Sequence, residues 1–434
     1  SSRVAVDGVS LIGAGQTRLV AESDGSTDLV ATGLGGSSIL NAGALVTLAR
    51  VARVTELALT DAVLEQVTGT AELAATDARD VSAALRSAGV SVGGAVGGSY
   101  SEIDDASRIT ARTDRSLLVA GDGATVDIAA TSRGARTINQ AGFDGATSIR
   151  TSGAIARILD RDTVTAEVLD SELAGSGDFG VDAAKRAGSH AFSFAGGLAA
   201  GTGAALNVAR VHDGGETVAR MLGTRTGGDS RPASVTVAAS GSNDDGARAI
   251  SAEMSNLGVA GVDLGLALIE AQTTRDVRAI VDDSDTVASN LHASALSVFA
   301  NAATALDATG VSVGGGAVSA TGVVRVLTAD RDVEAIASGD LRLGRIDLDS
   351  QRADALTDLS LGASLGLVTG WNLKFGYLTI GGATLADLRP RDATISGDAS
   401  VTARDRSSAD LVVAGGAGGL SGAAAGLEFA ITTI

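Results

Sequence analysis

The chain has no cysteine, two prolines, two lysines and very few aromatic side chains, which make up 2% of its 434 residues. Without cysteine there are no disulfides, no zinc–thiolate sites and no thiol catalysis. The scarcity of proline, confined to Pro232 and Pro390, suits a backbone whose amides are needed as ladder donors. Few aromatics argue against thick globular cores and against the stacking platforms that sugar-binding enzymes use. Positive charge is short as well: 33 basic against 51 acidic residues leave a net charge of −18. That balance argues against nucleic acid or an anionic membrane as partner, because phosphates call for a basic surface. No apolar run of transmembrane length is present, so membrane insertion is not expected.

What the chain does have is glycine, at 58 positions, and small aliphatic side chains that bring its hydrophobic fraction to 45%. The density of β-branched residues in alternation argues against a disordered chain. Short words recur: "SRITAR", "DTVTAEV", "ETVARM", "RDVRAI" and "RDVEAI", each with an alanine at Ala111, Ala166, Ala219, Ala279 and Ala335. These alanines are 55, 53, 60 and 56 positions apart, the drift that loop insertions between stacked units produce. Val218 stands one residue closer to its alanine than Ile109, Val164, Val277 and Val333 do to theirs, so the third word looks one residue short. A sixth unit reads "ATLADL" at Leu385 and Ala386.

Alternation with a period of two marks these words as strands. Ile109, Ala111 and Thr113 are expected inward, as are Val126, Ile128 and Ala130, Val235, Val237 and Ala239, and Val401 and Ala403. Residues 54–88 could be written as amphipathic helix on propensity, but they occupy the repeat phase that is strand elsewhere and are assigned as strand. Glycine-rich words fall between strands, beginning at Gly89, Gly196, Gly258 and Gly310, where glycine permits tight corners or close backbone stacking. Both ends of the sequence lie inside a repeat without a polar capping unit, so residues 1–434 are expected to be one continuous segment of about seven repeats, excised from a longer chain.

The succession "GGLAAGTGAALNVARVHDGGETVARML", with "SGAIARILDRDTVTAEVLDSELAGSGDFGVDAA" one unit earlier, resembles the repeats of giant bacterial surface proteins of the filamentous adhesin and leukotoxin type. The resemblance covers nearly the whole chain as a pattern of residue classes. It implies an all-β, elongated right-handed parallel β-solenoid, exported and extracellular at the cell surface or secreted, serving as stalk, spacer or adhesive fibre. It brings no catalytic residues with it.

Few residues suggest chemistry. His190, His212 and His292 have no partner at ligand spacing. Ser230 in "GGDSRP" lacks the strand and the histidine that a nucleophile needs, and Gly201 and Gly203 lack the strand–loop–helix setting of a dinucleotide site. Aspartates cluster at Asp104 and Asp105, at Asp244 and Asp245, and at Asp282, Asp283 and Asp285; the last group is the candidate calcium site, since turn carboxylates and carbonyls supply the oxygens that calcium takes. Arg161, Arg275 and Arg331, each beside an aspartate, are expected to stack into a surface ladder. "WNLKFGYL" puts Trp371, Leu373, Phe375 and Tyr377 on one strand face, a thickening of the core or an exposed contact patch, with the core preferred.

The sequence therefore reads as a structural or adhesive repeat protein rather than an enzyme, self-associating into fibres or meeting a host or cell-surface ligand. Two other classes stay open: a calcium-ordered surface-layer or polymerising subunit, and a carbohydrate-active β-helix of the polysaccharide-lyase kind.

Overall fold

A computed structural model describes residues 1–227, 231–242 and 250–433. It is all-β, with 86% of the chain in strands and no helix among the described residues. Residues 54–88 are strand, as the repeat phase requires and against their helical propensity. The strands pair in parallel and join into a single barrel-like sheet.

The pairing register explains the recurring words. Ala111 pairs with Ala166, Ala166 with Ala219, Ala219 with Ala279, Ala279 with Ala335 and Ala335 with Ala386. Leu57 and Val4 extend the column at its other end, so eight strands stand side by side. One circuit of about 54 residues therefore adds one layer, and the layers begin at Ser2, Val54, Arg108, Thr163, Glu216, Asp276, Val333 and Thr384. The third word is not short by a residue: Thr217, buried, takes the position between Val164 and Val277, and Val218 is the next residue along. Thr217 escapes a hydrophobicity-based reading because only its methyl group resembles valine.

Layer three shows the circuit. Its strands are Arg108–Asp114, Leu117–Ala120, Thr125–Ala146 and Ile149–Asp160, here called the first to fourth sides. The third side bends at Gly134, whose φ is +133°. A Cβ there would meet the carbonyl oxygen of Arg79 in the layer below at 1.6 Å, so both conformation and space demand glycine. The bend divides the interior. Ile109, Ala111, Leu118, Val126, Ile128 and Ala130 belong to one apolar core between the first two sides and the start of the third. Ile138, Ala156 and Ile158 belong to a second, between the rest of the third side and the fourth. Small residues suit columns whose neighbours repeat at about 4.8 Å, because each inward side chain has only one strand spacing in which to pack.

Val235, Val237 and Ala239 are buried as expected. Val401 and Ala403, of the eighth layer, are not: they stand on the inward phase beside Leu348 and Ser350 of the seventh, and Val401 is 47% exposed.

Candidate functional site

Where the two cores meet, the interior is ionic. Arg136, at the bend, donates to Asp105 at 2.7 Å and lies within 3.5 Å of Asp160 and Asp162. Lys185 reaches Asp160, Asp162 and Asp213 at 2.8, 2.9 and 2.7 Å. Arg275 joins Asp162 to Asp213, and Arg79 joins Asp77 to Asp105. All of these side chains are buried. Five carboxylates thus face four cations through layers two to five; Arg331 and Arg352 around Asp354 in the upper layers leave the whole column neutral. Neutrality is what the site requires, because an uncompensated charge in such a medium costs several kcal/mol.

The electrostatics separate the carboxylates. Burial pushes Asp160 up to about 6 despite Arg136 and Lys185. Burial also opposes ionisation of Asp162, but Lys185, Arg275 and Arg136 outweigh it and hold that carboxyl well below its ordinary value. Asp213 is likewise lowered, by Arg275 and Lys185 against burial. Burial works against the charge on Lys185 too, and its three carboxylates overcome it and raise it.

This arrangement corrects the expected ladder of Arg161, Arg275 and Arg331. Arg275 and Arg331 are buried and belong to the ionic column; only Arg161 is on the surface, paired with Asp104. The word "RD" hides a slip of one residue: Arg161 stands three positions before Val164, whereas Arg275 and Arg331 stand two before Val277 and Val333, and one position reverses the face. Surface ladders exist on other residues, including Arg112, Glu167 and Arg220 on the first side.

The far end of each layer inverts the usual pattern. There the third and fourth sides enclose polar groups: Gln140 donates to Ser99, Arg150 meets Asp263 at 3.1 Å, Arg325 pairs with Asp358, and buried Lys374 contacts the carbonyl of Ala414 and Glu428. Burial pushes Asp358 up to about 6, against the pull of Arg325. The outer faces are apolar. Residues 87–101, 187–209, 308–324 and 359–373 contain no Asp, Glu, Lys or Arg. In the layers between, Asp144, Arg150 and Asp263 are buried. All four glycine-rich words lie in this edge. Its turns are hydrogen-bonded layer to layer, as in Thr202 N–H to Ser148 O at 2.7 Å and Val262 N–H to Gly201 O at 2.9 Å, so the backbone at the edge is satisfied without water.

The aromatic patch belongs to this edge and corrects the preference for a core position. Trp371 is 52% exposed, with Leu373, Phe375 and Tyr377 also outward, while Asn372 and Lys374 point in. The period of two is right and its sense is opposite, because hydrophobicity alone assigns the inner face to the aromatics. Phe375 stacks on Phe429 of the eighth layer, ring centroids 4.9 Å apart. Beside them, Ala320 and Gly322 form the floor of an apolar trench of about 450 Å³, walled by Leu264 and Leu266 on one side and by Trp371 and Leu373 on the other.

The remaining candidates are dispersed. Asp282 and Asp283 are held by their own turn and by neighbouring layers: the Asp283 amide donates to Asp282 at 2.7 Å, Asp283 accepts from the Ser289 amide at 2.7 Å and from Arg391 at 3.1 Å, and Asp282 accepts from Ser338. Asp285 is exposed beside them. No group of three or more His, Asp or Glu side chains placed to hold a metal occurs among the described residues. His190 hydrogen-bonds Ser251 and His212 hydrogen-bonds Thr274. Ser230, Asp244 and Asp245 lie outside the described residues. No helix is long and apolar enough to cross a membrane among the described residues. Compared with known protein families, with curated proteins and with solved structures, the chain gives no match.

Proposed function

We propose that the chain is a structural, surface-presenting segment of a bacterial adhesin-type repeat protein, built as a right-handed β-solenoid and working outside the cell. The observation that carries this reading is the register: columns of equivalent side chains repeat through eight layers, and the polar groups that do converge are neutralised inside, away from any substrate. One layer per 54-residue circuit adds only about 4.8 Å of length, so eight layers rise about 38 Å. The 22-residue third side Thr125–Ala146 is about 70 Å of strand along the layer. Such a repeat is wide in proportion to the rise of each layer. It spends chain on width rather than reach, which favours the presentation of a wide face over a slender spacer.

Small-angle scattering together with activity assays tests this. The expected result is a blade-shaped particle that neither cleaves acidic glycans nor grows when calcium is added. Glycan turnover would replace the reading with a carbohydrate-active β-helix, and calcium-driven filament growth would replace it with a polymerising subunit.

A further inference from the structure

We infer that the outer face of the fourth side is an interface between two copies of this chain. Its columns through Val262, Leu264, Leu266 and Leu268 are free of charge and are bounded on one side by the Arg210–Glu270 pair, so a protein with net charge −18 meets its own copy there without like-charge contacts. It is also shaped for itself. The ridge of Trp371 and Leu373 stands one layer, about 4.8 Å, from the trench floored by Ala320 and Gly322. A two-fold axis between ridge and trench seats each copy's ridge in the other's trench, which is the self-complementarity that an isologous contact requires. The footprint is sufficient. Across this axis layers five to eight face one another; four layers at about 4.8 Å by four outward positions at about 6.7 Å give about 515 Å² per copy, or about 1,030 Å² for the pair, just above the about 1,000 Å² that a specific interface needs. The interface buries Trp371, the single tryptophan, at its centre.

The inference stands on this face alone, so its failure leaves the structural reading intact. Sedimentation velocity of the whole chain over a wide concentration series, without calcium, is the test, with iodide quenching of Trp371 followed in the same samples. A dimer is expected, with quenching that weakens as dimer forms. Leu373→Arg, outward and remote from both cores, should weaken association about thirtyfold or more while leaving the β-sheet circular-dichroism spectrum unchanged. Ala320→Leu is the sharper variant: it fills the trench while adding apolar surface, so ridge-in-trench packing predicts weaker association. A monomer at every concentration would overturn the inference, as would stronger association of Ala320→Leu, which indicates unspecific hydrophobic contact. A monomer that floats with zwitterionic phosphatidylcholine vesicles would overturn it in favour of a lipid partner.

Discussion

Replacing Lys185 with methionine keeps an unbranched side chain as far as the ε position and removes one cation from a site with three carboxylates within 2.9 Å. Asp160, Asp162 and Asp213 are then left with Arg136 and Arg275, and the buried column carries a net negative charge. Breaking a buried pair by deleting one partner costs about 3–5 kcal/mol, and the same cost is expected here at pH 7. Because layers contact only their neighbours, the loss should concentrate in layers three to five. Hydrogen exchange reads it locally: the amides of Ala166 and Ala219 should lose protection while that of Leu57 keeps it. A pH arm checks the cause. In the native protein Asp160, raised to about 6 by burial, binds a proton more readily folded than unfolded, so its term falls as pH rises from about 4 to about 6. Asp162 and Asp213, held low, contribute fully above about 4 and lose that contribution only as pH falls through their lower folded values. Without Lys185 those two rise and the folded variant takes up protons, so its deficit should shrink between pH 7 and pH 5. A deficit below about 1 kcal/mol, or one independent of pH, refutes the electrostatic account of the column.

Three further outcomes follow from the same structure. Asp358→Asn leaves Arg325 buried opposite a neutral group and should cost about 3–5 kcal/mol in chemical denaturation, whereas Arg325→Met with Asp358→Leu should be neutral or stabilising, because the pair's desolvation is removed with it. Gly134→Ala forces a Cβ against the carbonyl of Arg79 at a left-handed φ and should lower stability by at least about 2 kcal/mol in a thermal melt. Arg18→Ala removes the partner of Glu72 in an exposed pair and should change stability by less than about 1 kcal/mol, an effect that fades further in high salt.

The alanine column was readable because its positions are repeated and apolar: Ala111 to Ala335 stand in register as their spacing indicated. What escaped the sequence were the places where polarity and burial part company. Thr217 fills an apolar position with a polar-looking residue, Arg275 and Arg331 are charged and buried, and Trp371 is aromatic and exposed. Each follows from a partner in another layer or circuit, such as Asp162 for Arg275, 113 residues away in sequence. A signal for the apolar edge was nonetheless present. The four glycine-rich words coincide with stretches nearly free of charge, and the few ionisable residues among them, Asp263 and Lys374 included, fall on the inward phase of the strand.

The layered register is tested most directly by spin-label distances, since a cysteine-free chain accepts two labels without background. Arg3, Glu56, Thr110, Thr165, Val218, Arg278, Glu334 and Leu385 form one outward column. Labels at Arg3→Cys and Leu385→Cys, seven layers apart, should lie about 34 Å from one another, and Arg3→Cys with Arg278→Cys, five layers apart, about 24 Å. Distances that rise by about 4.8 Å for each layer bear out the account, and distances that do not grow with layer number contradict it.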